Sequence, residues 1–209
     1  TVLTASRVQH GVRLLALLHQ AAGPVGMPDD VPGAVRVMRS ERRLQALDFW
    51  LRNPDYLADE LLNEVVAGRL DRSHVEVAES LLTDLEPSWR HFPMPKWLFG
   101  AYEALDDAFA LLETYGLAVM RRDRGGQRHQ FFLLPAGASA ADQLADDPVL
   151  GWYPRQVALV LLVARDEVGA ALKRRQYLQA EYAGTELGCR IGPISERVRE
   201  RLAAMRGES

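Results

Sequence analysis

Apolar side chains return at helical intervals near the start of the sequence. Val8, Val12, Leu15 and Leu18 form a stripe that Leu14 and Leu17 widen, which predicts an amphipathic helix within residues 1–21. Gly23, Pro24, Gly26, Pro28, Pro32 and Gly33 follow and read as a loose connection. The first helix is therefore expected as an additional arm, packed either on another surface or back on its own core. Val37, Leu44, Leu47 and Leu51 carry a helix across residues 35–51, and Asn53-Pro54 both ends it and starts the next. Tyr56, Leu57, Leu61, Val65 and Leu70 mark that next helix. Ser73-His74-Val75-Glu76 has the form of a capping box ahead of Val77, Leu81, Leu82 and Leu85, and Pro87 stops the helix it opens.

Residues 87–97 set Trp89, Phe92 and Trp97 among Pro87, Pro93 and Pro95. The rings are expected to anchor a long connection to the core, or else to form a platform for a peptide or base. Leu98, Tyr102, Leu105, Phe109 and Leu112 then repeat at intervals of 4, 3, 4 and 3 and predict one long helix. Gly116 suits a left-handed C-cap, with Leu117 folding back on the last turn. Residues 117–122 and 128–134 read as strands joined by Asp123-Arg124-Gly125-Gly126-Gln127, whose paired glycines supply the positive φ of a hairpin turn. Pro135 closes the second strand. Asp147-Pro148 and Trp152-Tyr153-Pro154 bracket a further loop. Residues 157–164 are apolar all round, as in a central core helix, a dimer helix or a buried strand. Val168, Leu172, Leu178 and Tyr182 continue helically. A last helix over residues 193–205 turns Ile194, Val198 and Leu202 inward, with Arg197, Arg199, Arg201 and Arg206 mostly outward.

The order helix, glycine, hairpin carries a resemblance. Leu112-Glu113-Thr114-Tyr115-Gly116-Leu117 is similar to the "L-E-x-x-G-L" that ends the recognition helix of the MarR and PadR families of winged-helix regulators. Phe131-Phe132-Leu133-Leu134-Pro135-Ala136-Gly137 resembles their "Y-x-L-T-x-x-G" exit from the wing. Leu134 stands where those families usually have threonine, and the helix before Gly116 reads longer than their recognition helix. The likeness covers residues 98–140. It implies a mainly α fold: a winged-helix-like core over residues 35–140 with one β-hairpin, an N-terminal helical arm over 1–21 and a C-terminal helical extension over 154–209. By analogy the terminal helices suit dimerisation. The implied function is a DNA-associated transcriptional regulator whose wing touches the DNA backbone through Arg121, Arg122, Arg124, Arg128 and His129. The alternative is a winged-helix protein-interaction subunit without direct DNA readout, like the kleisin-associated subunits of bacterial condensin-like complexes.

Charge sharpens that choice. The net of −3 hides four acids and no base in residues 99–116, followed by four arginines and one aspartate in residues 117–134. The basic hairpin is either a phosphate-contacting wing or a solvated hairpin whose charged edges block strand pairing. Glu103, Asp106, Asp107 and Glu113 on the preceding helix would repel a phosphate backbone. Candidate donors to base edges are few: Tyr102, Thr114 and Lys96. The wing and the C-terminal arginines are thus the expected contact surface. Lys173-Arg174-Arg175 reads as a solvated triplet, with phosphate binding as the alternative.

Composition excludes more than it assigns. Apolar residues make up 48% and charged residues 25%, an ordinary globular balance. No apolar run approaches the roughly 20 residues of a membrane helix, and no basic-then-apolar leader opens the sequence given, so a cytoplasmic protein without a membrane partner is expected. The single Cys189 excludes an internal disulfide framework; it reads as a small buried side chain, with a redox sensor or a thiol nucleophile as lesser readings. His10, His19, His74, His91 and His129 make no His-x-x-x-His pair, and no metal or cofactor is expected. Neither a nucleophile elbow nor a P-loop is present, and the chain does not read as an enzyme. Residues 157–164 and the N-terminal helix together point to a homodimer or a hetero-complex.

Overall fold

A computed structural model describes residues 7–87 and 93–207. Trp89 and Phe92 of the aromatic, proline-rich stretch lie outside the described residues. Helix α1 (Arg7–Ala21) leads into the short strands β1 (Gly23–Pro24) and β2 (Arg36–Met38). Helices α2 (Glu41–Arg52), α3 (Pro54–Val66) and α4 (His74–Ser80) follow. A small hairpin, β3 (Lys96–Trp97) and β4 (Gly100–Ala101), precedes α5 (Asp106–Thr114) and the strands β5 (Ala118–Arg122) and β6 (His129–Leu133). Helices α6 (Pro135–Asp146), α7 (Trp152–Ala164), α8 (Gly169–Gln176), α9 (Ala180–Gly184) and α10 (Ser195–Gly207) complete the described chain. It is mainly helical, as the apolar periodicity predicts.

The single hairpin expected from the sequence is instead part of a larger sheet. The turn across Gly125 and Gly126 forms, but β5 and β6 join β2 and β1 in a four-stranded antiparallel sheet of order β1-β2-β6-β5. Val37 therefore belongs to a strand and pairs with Phe132, and the helix expected over residues 35–51 starts only at Glu41. Ser40 fixes that start, because its hydroxyl accepts the Arg43 amide. Pairing partners that lie almost a hundred residues away override the local helical stripe. The two faces of the sheet bury different residues. Met38, Phe131 and Leu133 join the main core, while Val37, Val119 and Phe132 close on the 25–34 connection through Val25 and Val31.

Other expectations also shift. The helix expected from Leu98 begins at Asp106, and the residues before it form β3 and β4. Gly100 has φ +102°, a conformation closed to most side chains, and a Cβ there would strike the Tyr182 hydroxyl. The capping box at Ser73 does not form. Ser73 is helical itself, and Asp71 takes both its amide and its hydroxyl. Pro135, beyond closing β6, opens α6 at the first-turn position that proline tolerates.

One core runs from Leu14 on α1 to Leu202 on α10. Helix α1 is folded back upon it, with Leu14, Leu17 and Leu18 fully buried against α5, α7 and α2. Val157, Val160, Val163 and Ala164 are likewise buried within the chain, so α7 is a central core helix. Each such aliphatic side chain contributes about 1.5–3 kcal/mol of transfer free energy. Val8 at the start of α1 and Leu162 on the outer side of α7 stay exposed, so the two apolar segments that motivated a second subunit are covered by their own chain only in part. Cys189, expected inside, is exposed.

Candidate functional site

The β5–β6 hairpin, expected from the sequence as a wing, begins just beyond the C-terminus of α5. Gly116, at φ +65°, ends the helix, and the Leu117 amide folds back on the Leu112 carbonyl at 2.8 Å. The Leu117 carbonyl in turn accepts the Leu134 amide at 3.0 Å, so the two stretches that carry the family resemblance meet in space. Gly137 packs directly on Leu117: a Cβ there would overlap the Leu117 carbonyl and approach Leu133 Cδ1 to 2.9 Å. Asp123 closes the turn by accepting the amides of Gln127 and Arg128.

Register decides what the five sequence-predicted contact residues can do. Arg121 lies opposite Gln130 and Arg122 opposite His129, so alternate members leave opposite faces of the hairpin. Arg121 donates to both carboxylate oxygens of Glu113 on α5, at 2.6 and 3.1 Å. The bond from Arg121 holds the Glu113 carboxyl below its ordinary pKa, and Glu113 raises that of Arg121. Arg122 donates to the Gly126 carbonyl at 2.9 Å. His129 Nδ1 lies 3.4 Å from Glu41 on α2. Among the described residues, Arg122, Arg124 and Arg128 meet no carboxylate, and all three are exposed. The five residues share one hairpin but not one cationic surface.

Two of the three expected donors to base edges are also engaged elsewhere, while Tyr102 stays partly exposed. Lys96 is buried and donates to the Ala183 and Thr185 carbonyls at 2.6 and 2.7 Å. Thr114 donates to Ala110 within its own helix. The outer face of α5 presents Asp106, Asp107 and Glu113; the first two favour the helix N-terminus and disfavour phosphate. Of the C-terminal arginines, Arg197 binds Glu181 and Gln179, Arg201 binds Asp59, and Arg206 binds Glu79. Arg199 is exposed.

Two polar networks lie deeper. Around a groove of about 590 Å3, Arg175 reaches Glu60 at 2.6 Å and Glu167 at 2.8 Å, while Arg69 and Arg165 each reach Glu64 at 2.7 Å. The basic triplet is thus split: Arg175 turns into this groove while Arg174 stays in solvent. Burial raises the pKa of Glu60, whereas the Arg69 hydrogen bond lowers that of Glu64. Every charge in this groove already faces its opposite. In the second network, beneath α1, the fully buried Asp48 lies 3.3 Å from Arg13 Nε, 3.5 Å from Arg52 and 3.7 Å from His10. Arg13 is also fully buried and reaches Glu86 at 3.0 Å, and Glu86 accepts from the Tyr153 hydroxyl.

Sequence reasoning missed the tip of the β3–β4 hairpin. Leu98 and Phe99 form its turn and are 73% and 70% exposed, beside the half-exposed Trp97. Gly188 lies against the Trp97 ring, and Leu187 next to it is exposed as well. The guanidinium of Arg42 and the ammonium of Lys173 stand 5.3 and 5.2 Å from the centre of the Phe99 ring. Apolar Trp97-Leu98-Phe99 between Pro95 and Gly100 was the available signal; the sequence pattern reads Trp97 as a ring that anchors the preceding loop, and Leu98 as the start of a helix.

Among the described residues no three His, Cys, Asp or Glu side chains gather as a metal site, and no helix is long and apolar enough to cross a membrane. No family model, curated protein or solved structure matches the chain.

Proposed function

We propose that this chain is a winged-helix-like interaction subunit that binds a partner protein, and that its wing is not built to hold DNA. Support for the fold reading comes from the order of elements. Helix α1, strand β2, intervening helices, α5 and the β5–β6 hairpin follow one another, and the returning strand β6 pairs with β2. On this reading α1 is the first helix of the unit rather than an arm, and the unit begins before residue 35.

The observation that carries the choice of partner is the Arg121–Glu113 pair. It neutralises one wing cation at the surface and joins the wing to a helix face otherwise formed by Asp106 and Asp107. DNA association through the wing is the second reading, favoured by the unpartnered Arg124 and Arg128. With Arg122, whose partner is a backbone carbonyl, three wing cations neutralise about three phosphates and give a salt slope near −2.7, too shallow for a tight complex.

The test is a titration of a short labelled duplex across salt concentrations, with wild type and R124A/R128A. No salt-sensitive binding of wild type is the expected result. Binding with a slope near −3 or steeper that R124A/R128A weakens would replace the interaction reading with the DNA reading. Cross-linking mass spectrometry on the chain from its native host supplies the positive arm, with links from a co-purifying protein to the α5 face or the β3–β4 tip expected.

A further inference from the structure

The β3–β4 tip combines two features that a folded chain normally avoids together. Leu98 and Phe99, at the turn, and Leu187 nearby expose aliphatic and aromatic surface to solvent. Arg42 and Lys173 then crowd the same Phe99 ring, and among the described residues neither meets a carboxylate. The Lys173 ammonium donates to the Leu98 carbonyl at 3.2 Å, which fixes it at the turn. Burial and, next, the neighbouring Arg42 charge hold the Lys173 ammonium below its ordinary pKa, so an added negative charge relieves an existing repulsion. Arg174 and Arg190 are exposed on the same two segments, against Glu186 alone.

We propose that this tip is the docking site for an acidic, apolar segment of a partner protein: carboxylates meet Arg42 and Lys173 while apolar side chains cover Leu98, Phe99 and Leu187. The inference rests on the interaction-subunit reading and names the partner's chemistry. Desolvated aromatic rings beside cations are the composition of interface hot spots. An anionic membrane fits less well. Both cations are stacked beside the ring, so sinking Phe99 into hydrocarbon would draw two charges down with it. A carboxylate side chain reaches them at ring level without that penalty.

The experiment selects a random-peptide phage library on the immobilised full chain and measures the enriched peptides by fluorescence anisotropy. Peptides enriched in Asp or Glu together with Leu, Phe or Trp are expected. Their binding should weaken about tenfold or more in L98S/F99S. R42E/K173E should reject them and select Lys- or Arg-containing peptides instead, an inversion that misfolding cannot imitate. Unchanged melting of both variants keeps the comparison valid. Enriched peptides that bind L98S/F99S as well as wild type overturn this site while leaving the interaction reading intact, and no enrichment overturns the site too. Vesicles of phosphatidylserine and phosphatidylcholine are the second probe. Binding to them that L98S/F99S abolishes would assign the tip to a lipid surface and overturn the proposal. Salt-sensitive duplex binding in the titration above would instead remove the reading on which the site rests.

Discussion

Arg121 and Glu113 are eight residues apart, one on strand β5 and one near the end of helix α5, and they form a two-point ion pair. Both side chains are about half exposed, so solvent screens the attraction and the pair contributes little to stability. E113Q should cost less than about 1 kcal/mol in a urea titration. Its effect belongs to the surface: the variant releases Arg121, and duplex retention at low salt should rise slightly above that of wild type. A loss of several kcal/mol would show that the pair anchors the wing structurally.

Gly137 has the opposite character. Any Cβ there meets the Leu117 carbonyl where α5 passes into the wing, and backbone cannot move aside as a flexible side chain can. G137A should destabilise by about 2–3 kcal/mol, the usual cost of overpacking, and shift the urea midpoint accordingly. G125A, where the nearest atom to a new Cβ is Asp123 Oδ1 at 3.7 Å, serves as the tolerant control.

Arg13 tests the network beneath α1. R13M keeps most of the volume but leaves Asp48 and Glu86 without their central cation. Breaking a buried pair in this way costs about 3 kcal/mol or more. Arg52 keeps Glu103 as a partner when Asp48 is replaced, so R13M/D48L should recover much of the loss if the under-compensated Asp48 carboxylate is its cause. Equal instability of the single and double variants would assign the loss to packing.

His10 gives the fold a pH dependence of definite sign. Burial holds its pKa below 6.5 in the folded chain, against the opposing pull of Asp48. The unfolded chain therefore binds this proton more readily. The contribution is complete above pH 6.5 and is lost as pH falls through that value toward the folded pKa. Urea midpoints should decline on acidification from pH 7.5 to 5.5, and H10Q should show a shallower decline. Parallel curves would show that His10 does not carry the effect.

Much of this fold is legible in local pattern, and the exceptions have physical causes. Asn53-Pro54, the stripe from Tyr56 to Val65, and Gly116 followed by a glycine-turned hairpin each act over a few residues, and each appears as read. Val37 was misread because its strand exists only through Phe132, far along the chain. Leu98 and Tyr102 keep helical spacing by coincidence, and Gly100 was the overlooked warning, since its left-handed backbone breaks the run. The candidate site was harder. Four wing arginines are visible as a composition, yet only register reveals that Arg121 and Arg122 face apart. Nothing near Arg42 in sequence announces that it will share an aromatic ring with Lys173. Buried charges such as Asp48 carry no local mark at all.

The backward fold of α1 has a consequence for how the protein is made. Gln20, at the end of that helix, donates to the Pro154 carbonyl 134 positions later, and the leucines before it are covered in part by α7. At about 5–20 residues per second, a ribosome takes roughly 7–27 s to produce that interval. Throughout that time the leucine face of α1 lacks the helix that covers it and is open to chaperones or to neighbouring nascent chains. Synthesis of this chain thus leaves one of its most apolar surfaces waiting for a partner that is among the later segments to emerge.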